Sequence, residues 1–227
     1  MGTARVQARA VFLRGERITY HVPMNEVLAR RIERKQRRRS DSRSAIVEAA
    51  RQVATREGPG AISLRAVAAE AGYAPASVYE YFRNRGELVL ALASEDLGVL
   101  ARALRDSGAA GSEGPAKFSA AAQSALELLR GSGALPAAIS VLAASEAPPE
   151  AERLFNGKLI AALTAFAEAS GRAPVSSRED QADIVLAAAA IAGLAALSRA
   201  GRLKALGFED RDLLDRLEKR FVAPKTS

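Results

Sequence analysis

Few residues in this chain can make or break bonds. Its 227 residues include one histidine, His21, and no cysteine. That excludes disulfides, zinc–thiolate sites and cysteine nucleophiles. No G-x-S-x-G, H-E-x-x-H or P-loop spacing occurs, and the single histidine, with no partner residues around it, reads as incidental rather than as a ligand or a catalytic base. The carboxylate pairs Glu179/Asp180 and Glu209/Asp210 stand at expected helix starts, where the helix dipole favours acids. The expectation is a non-enzyme with no metal and no cofactor. What the chain does concentrate is cations. Residues 1–43 hold 12 Lys/Arg and 4 Asp/Glu, and residues 44–227 hold 21 and 22, leaving +8 and −1. Arg30–Arg43 carries eight of these bases, among them Arg34, Arg38 and Arg43. Arginines so placed can lie along phosphates or enter a narrow minor groove; a solvated tail is the alternative. A membrane-surface role is disfavoured because this arm lacks an apolar face.

An element that could set such cations on a duplex follows in the sequence. Ser63–Leu88 reads as a short helix, a tight turn, a second short helix and the start of a longer one. Ser63 is a good N-cap. Leu64, Val67, Ala68 and Ala71 recur on one helical face. Gly72 suits the left-handed position past a helix end, and Pro75 suits the first turn of the next helix. Val78 and Phe82, four apart, bury the second helix on the first, and Ala68 keeps the two close. This is a helix-turn-helix, the motif that places its second helix in the major groove.

Taken with its flanks, the stretch resembles the tetracycline-repressor (TetR) family of bacterial transcriptional regulators. The resemblance covers about residues 41–100. It rests on the amphipathic segment Ser44–Gly58, the L-R-A-V-A-A-E-A-G core, the aromatic run Tyr79-Glu80-Tyr81-Phe82 and N-R-G-E-L at Asn84–Leu88. It implies base-edge and phosphate contacts from Ala74, Pro75, Ala76, Ser77, Tyr79 and Glu80. Ser63 and Arg65 would touch phosphate from the first motif helix, and Arg85 from the start of the linking helix. Tyr81 and Phe82 read as core. Two departures stand out: Ala74 replaces the family's frequent Ser or Thr, and Glu80 sets an acid on the DNA-facing helix.

The remaining chain reads as helices. Alanine is abundant and aromatics are 5%, which favours close-packed helices over sheet. The expected fold is all-α, an N-terminal three-helix DNA-binding domain followed by a C-terminal helical bundle. Residues 1–40 are expected as a disordered leader and basic arm, with Met24 a second candidate start beside Met1. Residues 41–100 form the DNA-binding domain (motif 63–82), its first helix capped by Asp41 or Ser42. Residues 101–227 form the effector-binding and dimerisation domain. A capping box, Asn84 with Glu87, opens the linking helix, which runs to about Asp106. Ser107–Pro115 is a flexible loop. Four or five helices follow: Lys117–Arg130, Leu135–Ser145, Glu150–Ser170, Arg178–Arg199 behind a Ser176–Glu179 box, and Asp210–Val222.

The longest apolar run, Ile184–Leu197, is about 14 residues and too short to cross a bilayer. It is apolar nearly all round, so burial on most faces is expected. With no signal peptide visible, a cytoplasmic location and no membrane partner are expected. The family resemblance implies a homodimer paired through late helices. Candidate interface residues are Ile184, Ala189, Ile191, Gly193, Leu194, Leu214, Leu217 and Phe221, with Ala189-x-x-x-Gly193 permitting close approach; burial within one subunit is the alternative. It also implies a small apolar effector among Leu100, Leu104, Phe118, Leu126, Leu142, Phe155, Leu163 and Phe166, each of which could equally be core.

The resulting expectation is a ligand-responsive repressor bound as a homodimer to a palindromic operator on double-stranded DNA. The competing expectation is an effector-independent, shape-reading nucleic-acid-binding protein dominated by the arm. Deleting Arg30–Arg39 should weaken binding to every duplex and flatten the dependence of log affinity on log salt by about 0.9 for each phosphate no longer neutralised. An unchanged slope in a salt titration by fluorescence anisotropy would remove the arm from the interface.

Overall fold

The computed structural model describes residues 6–13, 16–108 and 115–221. The chain divides into two compact units, residues 1–46 and 47–227. The first opens with strands β1 (Val6–Leu13) and β2 (Glu16–Pro23), paired antiparallel with Val6 opposite Pro23 and Leu13 opposite Glu16. This differs from the patternless, disordered leader expected. In Glu16–Pro23, Ile18, Tyr20 and Val22 alternate with Arg17, Thr19 and His21, and only Arg14-Gly15 separates the two runs, which is the spacing of a hairpin.

Helix α1 runs from Met24 to Glu57 without interruption. The basic arm is therefore helical, and Asp41 and Ser42 lie inside a helix instead of capping one. The reason is compositional: Met24–Glu57 contains no glycine or proline, and Arg, Lys, Gln and Glu are strong helix formers. Within the first unit the Arg34 side chain donates to the Arg30 carbonyl at 3.2 Å.

The second unit begins within α1, where Val47, Ala50 and Val53 are buried. A 3-10 turn, Pro59–Ala61, leads to α2 (Leu64–Ala71) and α3 (Pro75–Tyr79). The Ser63 hydroxyl caps α2 by accepting from the Ala66 N–H. Gly72 ends it at φ 69°, and the Tyr73 N–H donates back to the Ala68 carbonyl at 2.9 Å. Only a residue without Cβ takes that turn at little cost. Ala68, Val78 and Phe82 are fully buried where α2 meets α3.

Helix α4 (Arg85–Gly108) follows. The Asn84 side chain accepts from the Glu87 N–H at 2.8 Å, while the Glu87 carboxylate accepts from the Arg83 N–H, so the box closes one residue before its cap. The body comprises α5 (Pro115–Gly131), α6 (Ala134–Ala143), α7 (Pro149–Ala169), α8 (Arg178–Arg199), the short α9 (Arg202–Ala205) and α10 (Asp210–Phe221). Much of the expected Ser107–Pro115 loop, and Val222, lie outside the described residues. The capping box of α8 is Ser177–Asp180, one residue later than expected. Phe118 sits at the centre of the body, edge-on to Phe166 (centroids 5.9 Å) and stacked on Phe221 (6.2 Å).

Helix α4 lies along α7 and also packs on α5 and α6, so the helix-turn-helix and the body share one unit. Two features fix its start. The Asn84 amide donates to the Glu146 carbonyl at 3.0 Å, beyond the end of α6. Gly86 lies against the same peptide, where a Cβ would stand 2.7 Å from the Glu146 oxygen and 3.1 Å from a Val141 methyl. Further along, Arg51 of α1 pairs with Asp96 of α4. Asp96 accepts from Ser132 between α5 and α6, and the Ser132 carbonyl accepts from Arg199 at the end of α8 at 2.6 Å. Burial disfavours charge on Arg51, but the hydrogen bonds it donates to Asp96 and Glu48, with their negative charges, prevail and raise its pKa.

Helix α8 departs from the expectation of burial on most faces. Ile184, Ala187, Ile191 and Ala195 are buried, but Val185, Leu186 and Leu197 are 51%, 59% and 42% exposed. As a continuous 22-residue helix it is also long and apolar enough to cross a bilayer by length and composition, unlike the 14-residue run read from the sequence. Its inner face instead packs on α5, α7 and α10.

Gly86→Ala should destabilise the protein by about 1–3 kcal/mol, because the Glu146 peptide has to move to admit the methyl. A thermal or denaturant midpoint equal to that of the unsubstituted protein would show the approach to be looser than described.

Candidate nucleic-acid interface and a cavity in the helical body

The exposed end of the helix-turn-helix carries few polar groups. Ala74, Pro75 and Ala76 are exposed, Ser77 is half-buried, and Glu80 closes α3 in the open. Ala74 supplies no side-chain cap, as its type dictates. Tyr79, at the end of α3, is 52% exposed, so its phenol is available, whereas Phe82 is fully buried. Tyr81 is half-buried. Bidentate hydrogen bonding to a base edge needs Arg, Lys, Asn or Gln, and α3 (P-A-S-V-Y) has none. What it offers a duplex is methyl groups, a hydroxyl and a phenol.

Beside α3 lies a shallow groove lined by Ser63, Arg65, Tyr79, Arg83, Asn84 and Arg85. Four of these are residues expected at phosphate from the sequence, and the fold brings them together across 22 residues of chain. Their roles differ. Ser63 already accepts from Ala66 and keeps its hydroxyl proton to donate. Arg65 is exposed. Arg85 is turned inward: its guanidinium donates to the Ile62 carbonyl at 2.9 Å and to the Pro59 carbonyl at 3.3 Å. It braces the loop between α1 and α2 and is thereby less available to a phosphate than expected. The neighbouring Arg83 is exposed at the groove; the R-N-R triplet at 83–85 was the signal, but sequence reasoning chose its other arginine. A concave surface with guanidinium, phenol, hydroxyl and amide donors suits an anionic oxygen.

Of the arm residues, Arg34 and Arg38 are exposed on α1 and Arg43 is half-buried. They belong to the first unit.

A cavity of about 310 Å³ lies in the body between α4, α5, α6, α7 and α8. Of the expected pocket residues, Leu100, Leu104, Leu142, Phe155, Leu163 and Phe166 line it. Phe118 and Leu126 do not: Phe118 is spent on its ring contacts in the core, and Leu126, also buried, faces a polar groove beside α10. The sequence reading missed the α8 wall, Val185, Ala188, Ala189 and Ala192, whose small side chains leave the space.

The expected dimer residues also separate. Ile184, Ile191 and Leu214 are buried within the chain itself. Leu194, Leu217 and Phe221 are half-buried, Phe221 against Phe118. Ala189 and Gly193 are exposed, aligned with Val185, Leu186 and Leu197 along the outer side of α8.

The family model for bacterial regulatory proteins of the tetR family matches residues 46–92. No curated protein matches the chain. Among solved structures, a TetR transcriptional regulator from Rhodococcus is 18% identical at TM-score 0.62, over 85% of this chain and 100% of that one. A TetR-family transcriptional regulator from Streptomyces coelicolor is 19% identical at TM-score 0.57, over 80% and 98%. The regulator FadR of Bacillus subtilis, solved in complex with stearoyl-CoA, is 17% identical at TM-score 0.56, over 79% and 97%. At these identities the likeness is one of fold, an N-terminal helix-turn-helix followed by a C-terminal helical bundle.

The two aromatic-flanking groups should respond oppositely. Tyr79→Phe should weaken duplex binding about five- to tenfold, the loss of one hydrogen bond, with no change in unfolding midpoint. Arg85→Met should cost about 2 kcal/mol of stability, since two carbonyls lose a charged donor. Anisotropy titration beside chemical denaturation separates the two, and the reverse pattern would exchange their roles.

Proposed function

Since the tetR-family domain at residues 46–92 makes this chain a TetR-family DNA-binding transcriptional regulator, we propose that it is a ligand-responsive repressor acting as a homodimer on a palindromic operator. One observation carries the ligand-responsive part. The cavity is walled by Leu97, Leu100 and Leu104 of α4, the same helix whose first turn follows the DNA-facing segment and is held to the α6 end through Asn84 and Gly86. A guest that fits better when α4 is displaced shifts the head toward the displaced arrangement, and by no more than its difference in affinity for the two. The stearoyl chain of the stearoyl-CoA bound to the Bacillus subtilis FadR supports a guest that is at least partly apolar.

The homodimer is supported by the outer side of α8, where Ala182, Val185, Leu186, Ala189, Gly193 and Leu197 form an exposed apolar stripe. Such a stripe is costly in water and Ala189-x-x-x-Gly193 lets a second backbone come close. Two heads related by a two-fold axis meet half-sites one turn, or a multiple of it, apart.

Operator specificity then rests on pairing, because each head has few base-reading side chains. Leu186→Glu should give a folded monomer by light scattering and reduce affinity for a selected palindrome about a hundredfold. A monomeric unsubstituted protein at micromolar concentration contradicts the dimer. An affinity ratio near one between selected and random duplexes contradicts operator recognition and favours an arm-dominated, shape-reading protein.

A further inference from the structure

The cavity excludes charge. Among the described residues 19 line it: 18 are Ala, Val, Leu, Ile or Phe, the other is Asn156, and none is Arg, Lys, His, Asp or Glu. All five walls are α-helices, whose interior carbonyls and N–H groups are already paired along the helix and cannot serve a guest. An ion placed there would have nothing to replace its water, so it would neutralise or stay outside.

The shape adds to this. Ile139 of α6 and Val185 of α8 line the cavity and are themselves 59% and 51% exposed, so the opening lies at these two helices. Asn156 of α7 is also exposed and lines the cavity, which sets the one polar side chain among the described lining residues at the rim. At about 310 Å³ the space is roughly twice that of a dry cavity that accepts benzene, room for about a dozen non-hydrogen atoms.

We infer that the cavity takes an uncharged, largely aliphatic ligand of that size with a single neutral hydrogen-bonding group, an alcohol, ester or amide, held at the rim by Asn156. The inference rests on reading the cavity as the effector site only for its consequence at DNA. The ligand's tail fills the space between α4 and α8, and the Asn156 amide donates to the oxygen of its polar end and, where that end is an alcohol or an N–H amide, also accepts from it. A carboxylate or ammonium of the same length binds more weakly, because seating its head against Asn156 strips part of its water with no counter-charge in return.

The test titrates the full-length protein, without DNA, with 1-decanol, decanoate and decylammonium by calorimetry. Decanol should bind at least about tenfold more tightly than either ion at neutral pH. Decanoate should tighten from about pH 8 to about pH 5, because the neutral acid is the form that fits. Asn156→Leu should weaken decanol about tenfold, and Ala188→Phe, which fills the space, should abolish binding. If Ala188→Phe does not fold, Ala192→Leu serves the same purpose. Equal or tighter binding of either ion overturns the inference, as does the failure of all three probes to bind. Decanol binding that leaves an operator complex intact supports the ligand class and overturns the effector role.

Discussion

Two peptides meet where α4 begins, and the helical body is connected to the DNA-facing segment through that meeting. Gly86 has no side chain because the Glu146 carbonyl occupies the space a Cβ needs. Asn84, just before α4, donates to the same carbonyl while its own oxygen caps α4. Three residues thus terminate the recognition segment, start the linking helix and fasten it to the end of α6. Packed interiors are close to rigid. The α6 end and the first turn of α4 are in direct contact. The Arg51–Asp96–Ser132–Arg199 chain makes a second tie, from α1 across α4 to the end of α8.

This arrangement gives each helix of the body a separate task. Helix α4 has its first turn beside the helix-turn-helix and its middle in the cavity wall. Helix α8 has an inner face of Ile184, Ala187, Ile191 and Ala195 in the core, and an outer stripe left bare by the single chain. Alanines at 188, 189 and 192 make the cavity possible, since larger side chains there would fill it. The head itself is chemically sparse. With α3 carrying methyls, a hydroxyl and a phenol, the guanidinium and amide donors on this side of the chain lie in the neighbouring groove, with Arg83 at its edge.

Much of the head was legible because its signals are local. Ser63, Gly72, Pro75 and Asn84 each perform the cap or turn that their type dictates, and Val78, Phe82 and Ala68 are buried as their spacing requires. The arm was misread for the opposite reason. A helix without an apolar stripe has no periodic signature, and its evidence was the absence of breakers across 34 residues. The hairpin was missed although β2 alternates, because β1 mixes its pattern. The α8 cap fell one residue late because S-S-R-E-D supports two registers, and only Ser177 and Asp180 close on each other. Arg85 could not be resolved from sequence, since its acceptors lie 23 and 26 residues earlier. In an alanine-rich helix, period alone does not say which face turns inward; Ile184 and Ile191, candidates for a partner interface with burial within one subunit as the alternative, are buried within the chain itself.

The central claim is that the helix-turn-helix is a DNA-binding head presented twice, by two chains related by a two-fold axis. Hydroxyl-radical footprinting of the full-length protein on a duplex selected from random sequence tests it most directly. The account predicts two protected patches on one side of the duplex, about one helical turn or a whole multiple apart and related by a dyad. A single patch, uniform protection along the duplex, or none at low salt would contradict it.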